Sequence, residues 1–209
     1  MERFTAQALK SKEKKKQIYE ISMQMFSDLG YEQTTIRDIC KAAGITNSTF
    51  YHFFGDKMGI LIQFYYDVLD RGHQYLEPTQ ENLAQPFQSI CNFFLLTTTC
   101  LDEVNHDVAR TCILSLPSMI QGTYETLNWN SEILRIATFL EAAKKEGTVS
   151  PELDCYETAE YLLAVANGVS VYWLTLAERE QYLEVAARLM PKAFLSVADQ
   201  PISVKYVRR

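Results

Sequence analysis

Thr35-Ile36-Arg37-Asp38-Ile39-Cys40-Lys41-Ala42-Ala43-Gly44-Ile45-Thr46-Asn47-Ser48-Thr49-Phe50-Tyr51-His52-Phe53-Phe54 holds two short helical patterns joined through a glycine. Thr35 stands where a helix cap belongs, and Asp38, three residues on, can bond back to it. Ile36, Ile39, Cys40 and Ala43 then share one face at helical spacing. Gly44 follows, able to take positive φ at the helix end without a Cβ penalty. Ile45 reads as a buried turn residue and Thr46 as the cap of a second helix. In that second helix Phe50, Phe53 and Phe54 supply an inward face. Thr46, Asn47, Ser48, Thr49, Tyr51 and His52 are left to look outward. The result is a helix-turn-helix whose second helix is too short to exist for its own packing. Its outward side chains are hydrogen-bonding types suited to phosphates and base edges.

The surrounding composition limits what such a unit belongs to. The chain has 209 residues, 47% of them apolar, enough for a real core in one domain or in a small domain joined to a larger one. The formal charge of -6 argues against a protein that coats itself in nucleic acid. It is unevenly spread, however: residues 1–60 carry a balance of +2 and residues 61–209 one of -8. Five lysines, Lys10, Lys12, Lys14, Lys15 and Lys16, fall just ahead of the first amphipathic helix, where phosphate contact is their expected role beside a helix-turn-helix. Five cysteines form no Cys-x-x-Cys pair, and no apolar run near the N-terminus resembles a signal peptide, which points to a reducing cytoplasm. The apolar stretch 161–176 is interrupted by Asn167, Gly168 and Ser170 and is too short to span a bilayer, so no membrane segment is expected.

Periodicity predicts a helix over about 11–29, with Ile18, Ile21, Met25, Phe26 and Leu29 on one stripe and Gly30 as its stop. A fourth helix starts at Asp56, its cap, and runs through Ile60, Leu61, Phe64, Val68 and Leu69 toward Tyr75, as a strut between the N-terminal unit and the rest. Gly72 reads as a weak point in it. Further helices are expected near 87–100, 104–116, 131–145, 156–176 and 178–197, with breaks at Asn105, Pro117, Gly122, Gly147 and Pro151 and a frayed tail from Pro201. The fold class is therefore all-α: a three-helix helix-turn-helix unit over 1–55 and a helical effector-binding and dimerisation domain over 56–209.

At Gly30-Tyr31-Glu32-Gln33-Thr34-Thr35-Ile36-Arg37-Asp38-Ile39-Cys40-Lys41-Ala42-Ala43-Gly44-Ile45-Thr46 and at Phe50-Tyr51-His52-Phe53-Phe54-Gly55-Asp56-Lys57 the chain resembles the TetR family of bacterial transcriptional regulators. The likeness covers about the first third. Two departures stand out: Ser48 where members often have Gly, and Met58 where they often have Glu, with Gly59 beside it expected to loosen the turn. The resemblance implies that Thr35, Thr46, Ser48, Thr49, Tyr51, His52 and Lys57 face the duplex. Thr35, Tyr51 and Lys57 would hold phosphates, assisted by backbone N–H groups at the starts of the second and fourth helices. Thr46, Asn47, Ser48 and His52 are the candidates for base readout, while Ile45, Phe50 and Phe53 are assigned to the small core.

One such helix reads too few base pairs to find an operator, so a homodimer on double-stranded palindromic DNA is expected. As is usual in proteins resembling this one, its interface falls to the last two long helices. Ala164 and Gly168 permit close approach, with Val171, Tyr172, Ala186, Met190 and Phe194 as neighbours, although each equally fits intramolecular core. Phe94, Cys112, Tyr124, Trp129, Asn167 and Trp173 are of the kinds that line an apolar pocket with a few polar anchors, so the effector is expected to be small and partly apolar. The same residues at helical spacing also fit plain core. His52, His73 and His106 show no metal-ligand spacing, and no nucleophile elbow, phosphate loop or dinucleotide fingerprint is present, so no metal, cofactor or catalysis is expected. A thiol switch at Cys91, Cys100 or Cys112 is the nearer rival to a ligand-responsive repressor.

Overall fold

A computed structural model describes residues 2–121, 129–176 and 182–198. Ten helices make up the described architecture, with no strand; an isolated antiparallel bridge joins Val149 and Ala198. Helix α1 is Glu2–Leu29, α2 Ile36–Ala43, α3 Asn47–Phe54, α4 Met58–His73 and α5 Gln80–Leu83. Then follow α6 Pro86–Asp102, α7 His106–Gln121, α8 Trp129–Glu146, α9 Cys155–Leu174 and α10 Tyr182–Val197. The expected tail from Pro201 and the break at Gly122 lie outside the described residues.

Contacts gather the chain into two compact units, residues 1–66 with 104–112, and residues 67–103 with 113–209. The division expected at 55/56 differs from this in where it counts the start of α4 and the segment that opens α7.

In the first unit α1 begins nine residues before the start expected at about residue 11, so the lysine run lies on the helix rather than ahead of it. Its inward row is Ile18, Ser22 and Phe26, a strict i, i+4, i+8 series. Leu29, assigned to that stripe, is instead 57% exposed, because the helix has rotated past the core by its last turn. Ser22 is affordable inside because its hydroxyl donates to the Ile18 carbonyl at 2.7 Å. Ile39 and Cys40 of α2, Phe50 and Phe54 of α3, and Ile60, Leu61 and Phe64 of α4 complete the core. Buried Thr34 ties the α1–α2 loop down, donating to the Gly30 carbonyl at 2.8 Å and the Met25 carbonyl at 3.3 Å.

Within the second unit α9 packs on α8 and α10, and α6 packs on α8 and α10. Phe93, Phe94 and Phe194 form a ring cluster, with centroids 5.2 Å apart for Phe93–Phe94 and 5.9 Å for Phe94–Phe194. Gly72 is no weak point here: a Cβ on it would stand 2.9 Å from Phe93 Cδ2 and 3.1 Å from Thr97 Cγ2, so the missing side chain admits α6. Glu132, buried in the first turn of α8, lies 2.7 Å from His73 Nε2 at the end of α4, and the imidazole stacks on Phe93 at 6.3 Å. Arg71 and Glu103 form a two-pronged exposed pair, both contacts at 2.7 Å. Helix α7 runs through Pro117, where a break was expected, and α10 likewise continues through Pro191.

Candidate nucleic-acid interface

Two capped helices and a glycine-bearing turn set the geometry. Thr35 and Asp38 form a reciprocal capping box, the Asp38 N–H donating to Thr35 Oγ1 at 3.2 Å and the Thr35 hydroxyl donating to Asp38 Oδ2 at 2.5 Å. That hydroxyl holds the Asp38 carboxyl below the usual aspartate range. Gly44 closes α2 at φ 63°, ψ 39°, and the Ile45 N–H reaches back to the Cys40 carbonyl at 3.0 Å. Thr46 caps α3 by accepting from the Thr49 N–H at 3.2 Å, and the two threonine hydroxyls meet at 2.9 Å.

Helix α3 is held from behind by Phe50 and Phe54, i and i+4 on one face, with ring centroids 5.5 Å apart. Phe53 and Ile45, both expected in the core, are only half-buried. At 100° per residue Phe53 falls between the inward pair and the outward row, and Ile45 sits at the lip of the turn. Outward face Thr46, Asn47, Ser48 and His52, all exposed, with half-buried Thr49 and 50%-exposed Tyr51. The polar side chains expected from the sequence to look outward are therefore exposed or half-exposed around α3 and its cap.

Lys57 and Thr35 carry more structural duty than their expected phosphate roles convey. Lys57 Nζ donates to the Tyr31 carbonyl at 2.7 Å and the Thr34 carbonyl at 3.1 Å, and lies 4.1 Å from the Tyr31 ring centroid. These two bonds use two of its three protons. Thr35 gives its hydroxyl proton to Asp38, so the donors remaining near it are the first amides of α2 and the exposed guanidinium of Arg37. Arg37 was missed in the sequence reading, where its place one residue inside a capped helix start was the available signal. The start of α4 is closed by Asp56, whose Oδ1 accepts from the Gly59 N–H at 2.9 Å, and the helix begins two residues after the expected Asp56. Gly59 tightens this corner, since a Cβ there would lie 1.9 Å from the Phe54 carbonyl oxygen. The expected loosening is thus reversed.

A groove of about 510 Å³ runs beside α3, its walls including Lys10 and Lys14 of α1 and Ser48, Thr49 and His52 of α3.

The other expected sites divide. Of the interface residues, Ala164, Gly168, Val171 and Tyr172 are exposed along α9, but Ala186, Met190 and Phe194 are buried in their own chain. This corrects their assignment, since the inward face of α10 is spent on α6 and α9. Among the expected effector residues, Phe94, Cys112 and Trp173 are buried packing residues, Trp173 against Tyr182 at 5.3 Å, and Asn167 is half-buried. Cys112 counts with the first unit and the other three with the second. Tyr124 and the side chain of Trp129 lie outside what is described. No described helix is long and apolar enough to cross a membrane.

A family model described as "Bacterial regulatory proteins, tetR family" matches residues 18–64. The HTH-type transcriptional regulator HbdR of Aromatoleum sp. (strain CIB) is 34% identical over 80 residues, a match spanning 38% of this chain and only 35% of that protein. The HTH-type transcriptional repressor KstR2 of Mycolicibacterium smegmatis is 23% identical over 163 residues, covering 75% of this chain and 77% of its own length. Among solved structures, SmeT, the repressor of the Stenotrophomonas maltophilia multidrug efflux pump SmeDEF, aligns with a TM-score of 0.67 at 15% identity over 93% of this chain and 97% of that one. At such identity the likeness speaks for the fold. The matched residues 18–64 run from the packed half of α1 through the helix-turn-helix into α4, and over that segment the chain is similar to the DNA-binding part of the TetR family of bacterial transcriptional regulators.

Proposed function

We propose that this chain is a ligand-responsive transcriptional repressor that binds a palindromic operator as a homodimer and is released by a small, partly apolar effector. The observation that carries the reading is α3: eight residues anchored by buried Phe50 and Phe54, with the hydrogen-bonding side chains of Asn47, Ser48, Tyr51 and His52 left exposed. Side chains of this type reach base edges in a groove about 12 Å wide, which admits one helix. Asn47, Ser48 and His52, with Thr46, read bases in this account; Tyr51, the last proton of Lys57, and Arg37 hold the backbone. Relatives named as repressors, KstR2 and the Escherichia coli protein ComR, support the direction of regulation.

Dimerisation is supported by α9. Val171 is 54% and Tyr172 46% exposed, and Gly168 beside them has nothing within 4 Å of where a Cβ would be. A glycine that intramolecular packing does not need is free to serve close approach by a second copy. A thiol switch finds no support, because burial pushes Cys91 and Cys112 up to about 12 and Cys100 to about 11, where the reactive thiolate is scarce. The test is sequence selection by variants. Asn47→Ala or His52→Ala should relax the preference at matched positions of both half-sites, whereas Tyr51→Phe should weaken all sequences alike. If Asn47→Ala, Ser48→Ala and His52→Ala enrich the same sequences as the wild type, α3 is not the reader.

A further inference from the structure

Five neighbouring lysines on α1 meet different fates. Lys15 donates to Gln63 Oε1 at 2.7 Å and lies 5.6 Å from the Phe54 ring centroid, so it seals the edge of the core. Lys16 pairs with Glu20 on its own helix at 3.6 Å. Lys10 and Lys14, one turn apart, share a stripe with Gln7 and Ser11, and that stripe is one wall of the groove whose other wall is Ser48, Thr49 and His52. Lys12, two residues from each, points about 200° around the helix.

The arm carrying this stripe has no packing purpose. Every residue from Gln7 to Lys14 is exposed, and the inward row of α1 starts only at Ile18. Ordering a backbone residue costs roughly 1–2 kcal/mol, and a helical stretch this short is marginal alone, so the packed half of α1 props up the arm. A segment held in place while burying nothing is suited to an external partner, and its wall charge identifies that partner as an anion.

We propose that the α1 arm is a second DNA-contacting element, in which Lys10 and Lys14 grip the phosphate strand bordering the major groove that α3 enters. The proposal rests on the reading of α3 given above. A helix about 10–12 Å across fills a groove about 12 Å wide, so the flanking phosphates are pressed against whatever stands beside that helix. Here that is Lys10 and Lys14, with Gln7 and Ser11 adding neutral donors. The ammonium groups act as point charges, indifferent to base sequence. In a chain of net charge -6, attraction to DNA has to be local, and this wall supplies it.

The test is the salt dependence of binding by the full-length chain. The probes are a labelled duplex bearing the sequence that the wild-type protein enriches from a random library, and a scrambled duplex. Lys10→Gln and Lys14→Gln should each lower the slope of log affinity against log salt by about 1.8, one contact in each half-site, which is about 30-fold weaker binding at 0.15 M salt on both duplexes. Lys12→Gln, on the same helix with the same charge change, should lower it by less than about half a unit. Glutamine matches lysine in helix propensity, so unchanged far-ultraviolet dichroism is expected for all three. Equal losses for Lys12→Gln and Lys10→Gln, or a wild-type slope in the Lys10→Gln/Lys14→Gln double variant, would overturn the arm while leaving the role of α3 intact. Enrichment of no sequence by the wild type would overturn the role of α3, and the arm with it.

Discussion

Lys57→Met separates two duties that a single lysine performs. Its ammonium donates to two half-buried backbone carbonyls, of Tyr31 and Thr34, and sits over the Tyr31 ring. Buried hydrogen bonds from a charged donor contribute about 1.5–3 kcal/mol each, and at a half-exposed site the contribution falls to about 1 kcal/mol each. The ring adds about 0.5–1 kcal/mol. Methionine keeps the length of the stem and removes all three contacts, so the fold should lose about 2–3 kcal/mol. For a chain of this size that lowers the unfolding midpoint by about 5–10 °C. Thermal and urea unfolding followed by circular dichroism, without DNA, measure this first duty. The second is the remaining proton: if it holds a phosphate, the salt slope measured well below the midpoint drops by about 0.9 per half-site. An unfolding midpoint equal to wild type would refute the clamp, and an unchanged slope would refute the phosphate contact.

Gly59→Ala should cost about 3 kcal/mol and abolish operator binding, because its Cβ would meet the Phe54 carbonyl oxygen at 1.9 Å and force α3 and α4 apart; wild-type affinity in a mobility-shift assay would contradict the close approach. For the part-buried pair on α4 and α8, a double-mutant cycle of His73→Leu and Glu132→Leu by urea unfolding should give a coupling of about 1–3 kcal/mol, and additive losses would mean that the 2.7 Å contact contributes nothing. Asp38 should titrate below the usual aspartate range by nuclear magnetic resonance and return to it in Thr35→Ala. Since its folded pKa lies below the unfolded one, the cap's stabilisation is present above the unfolded value and is lost as pH falls through the folded one; an Asp38 titration untouched by Thr35→Ala would contradict the capping geometry. Gly168→Ala should leave the subunit as stable or more so, by up to about 1 kcal/mol, yet weaken self-association measured by sedimentation; unchanged association would remove Gly168 from the interface.

What the sequence disclosed follows from how local each signal is. The α2–α3 unit was legible nearly residue by residue, because caps, the Gly44 turn and the i, i+4 phenylalanines are written within a few positions of one another. Phe53 and Leu29 were misplaced because periodicity gives a face but not its width. The start of α1 was misjudged because Gln7 to Lys14 are all exposed, so no apolar pattern marks this part of the helix. Gly59 and Gly72 were read as weaknesses, since the Phe54 carbonyl and the Phe93 ring that crowd them come from other elements. On α10, periodicity found the apolar face but not its partner, and Ala186, Met190 and Phe194 were given to a second copy when α6 and α9 of the same chain cover them. Lys57 was assigned by resemblance to phosphate, and only the folded loop displays the two carbonyls beneath it.

The claim on which the rest depends is that α3 is presented to B-form DNA in two copies. Selecting duplexes from a random library with the full-length protein, then weighing the complex by sedimentation, tests both halves together. The account predicts an enriched inverted repeat with half-site centres about 10–10.5 base pairs apart, or a multiple of that, bound by an even number of subunits. An enriched site without two-fold symmetry, bound by one subunit, or no enrichment at all, would contradict it.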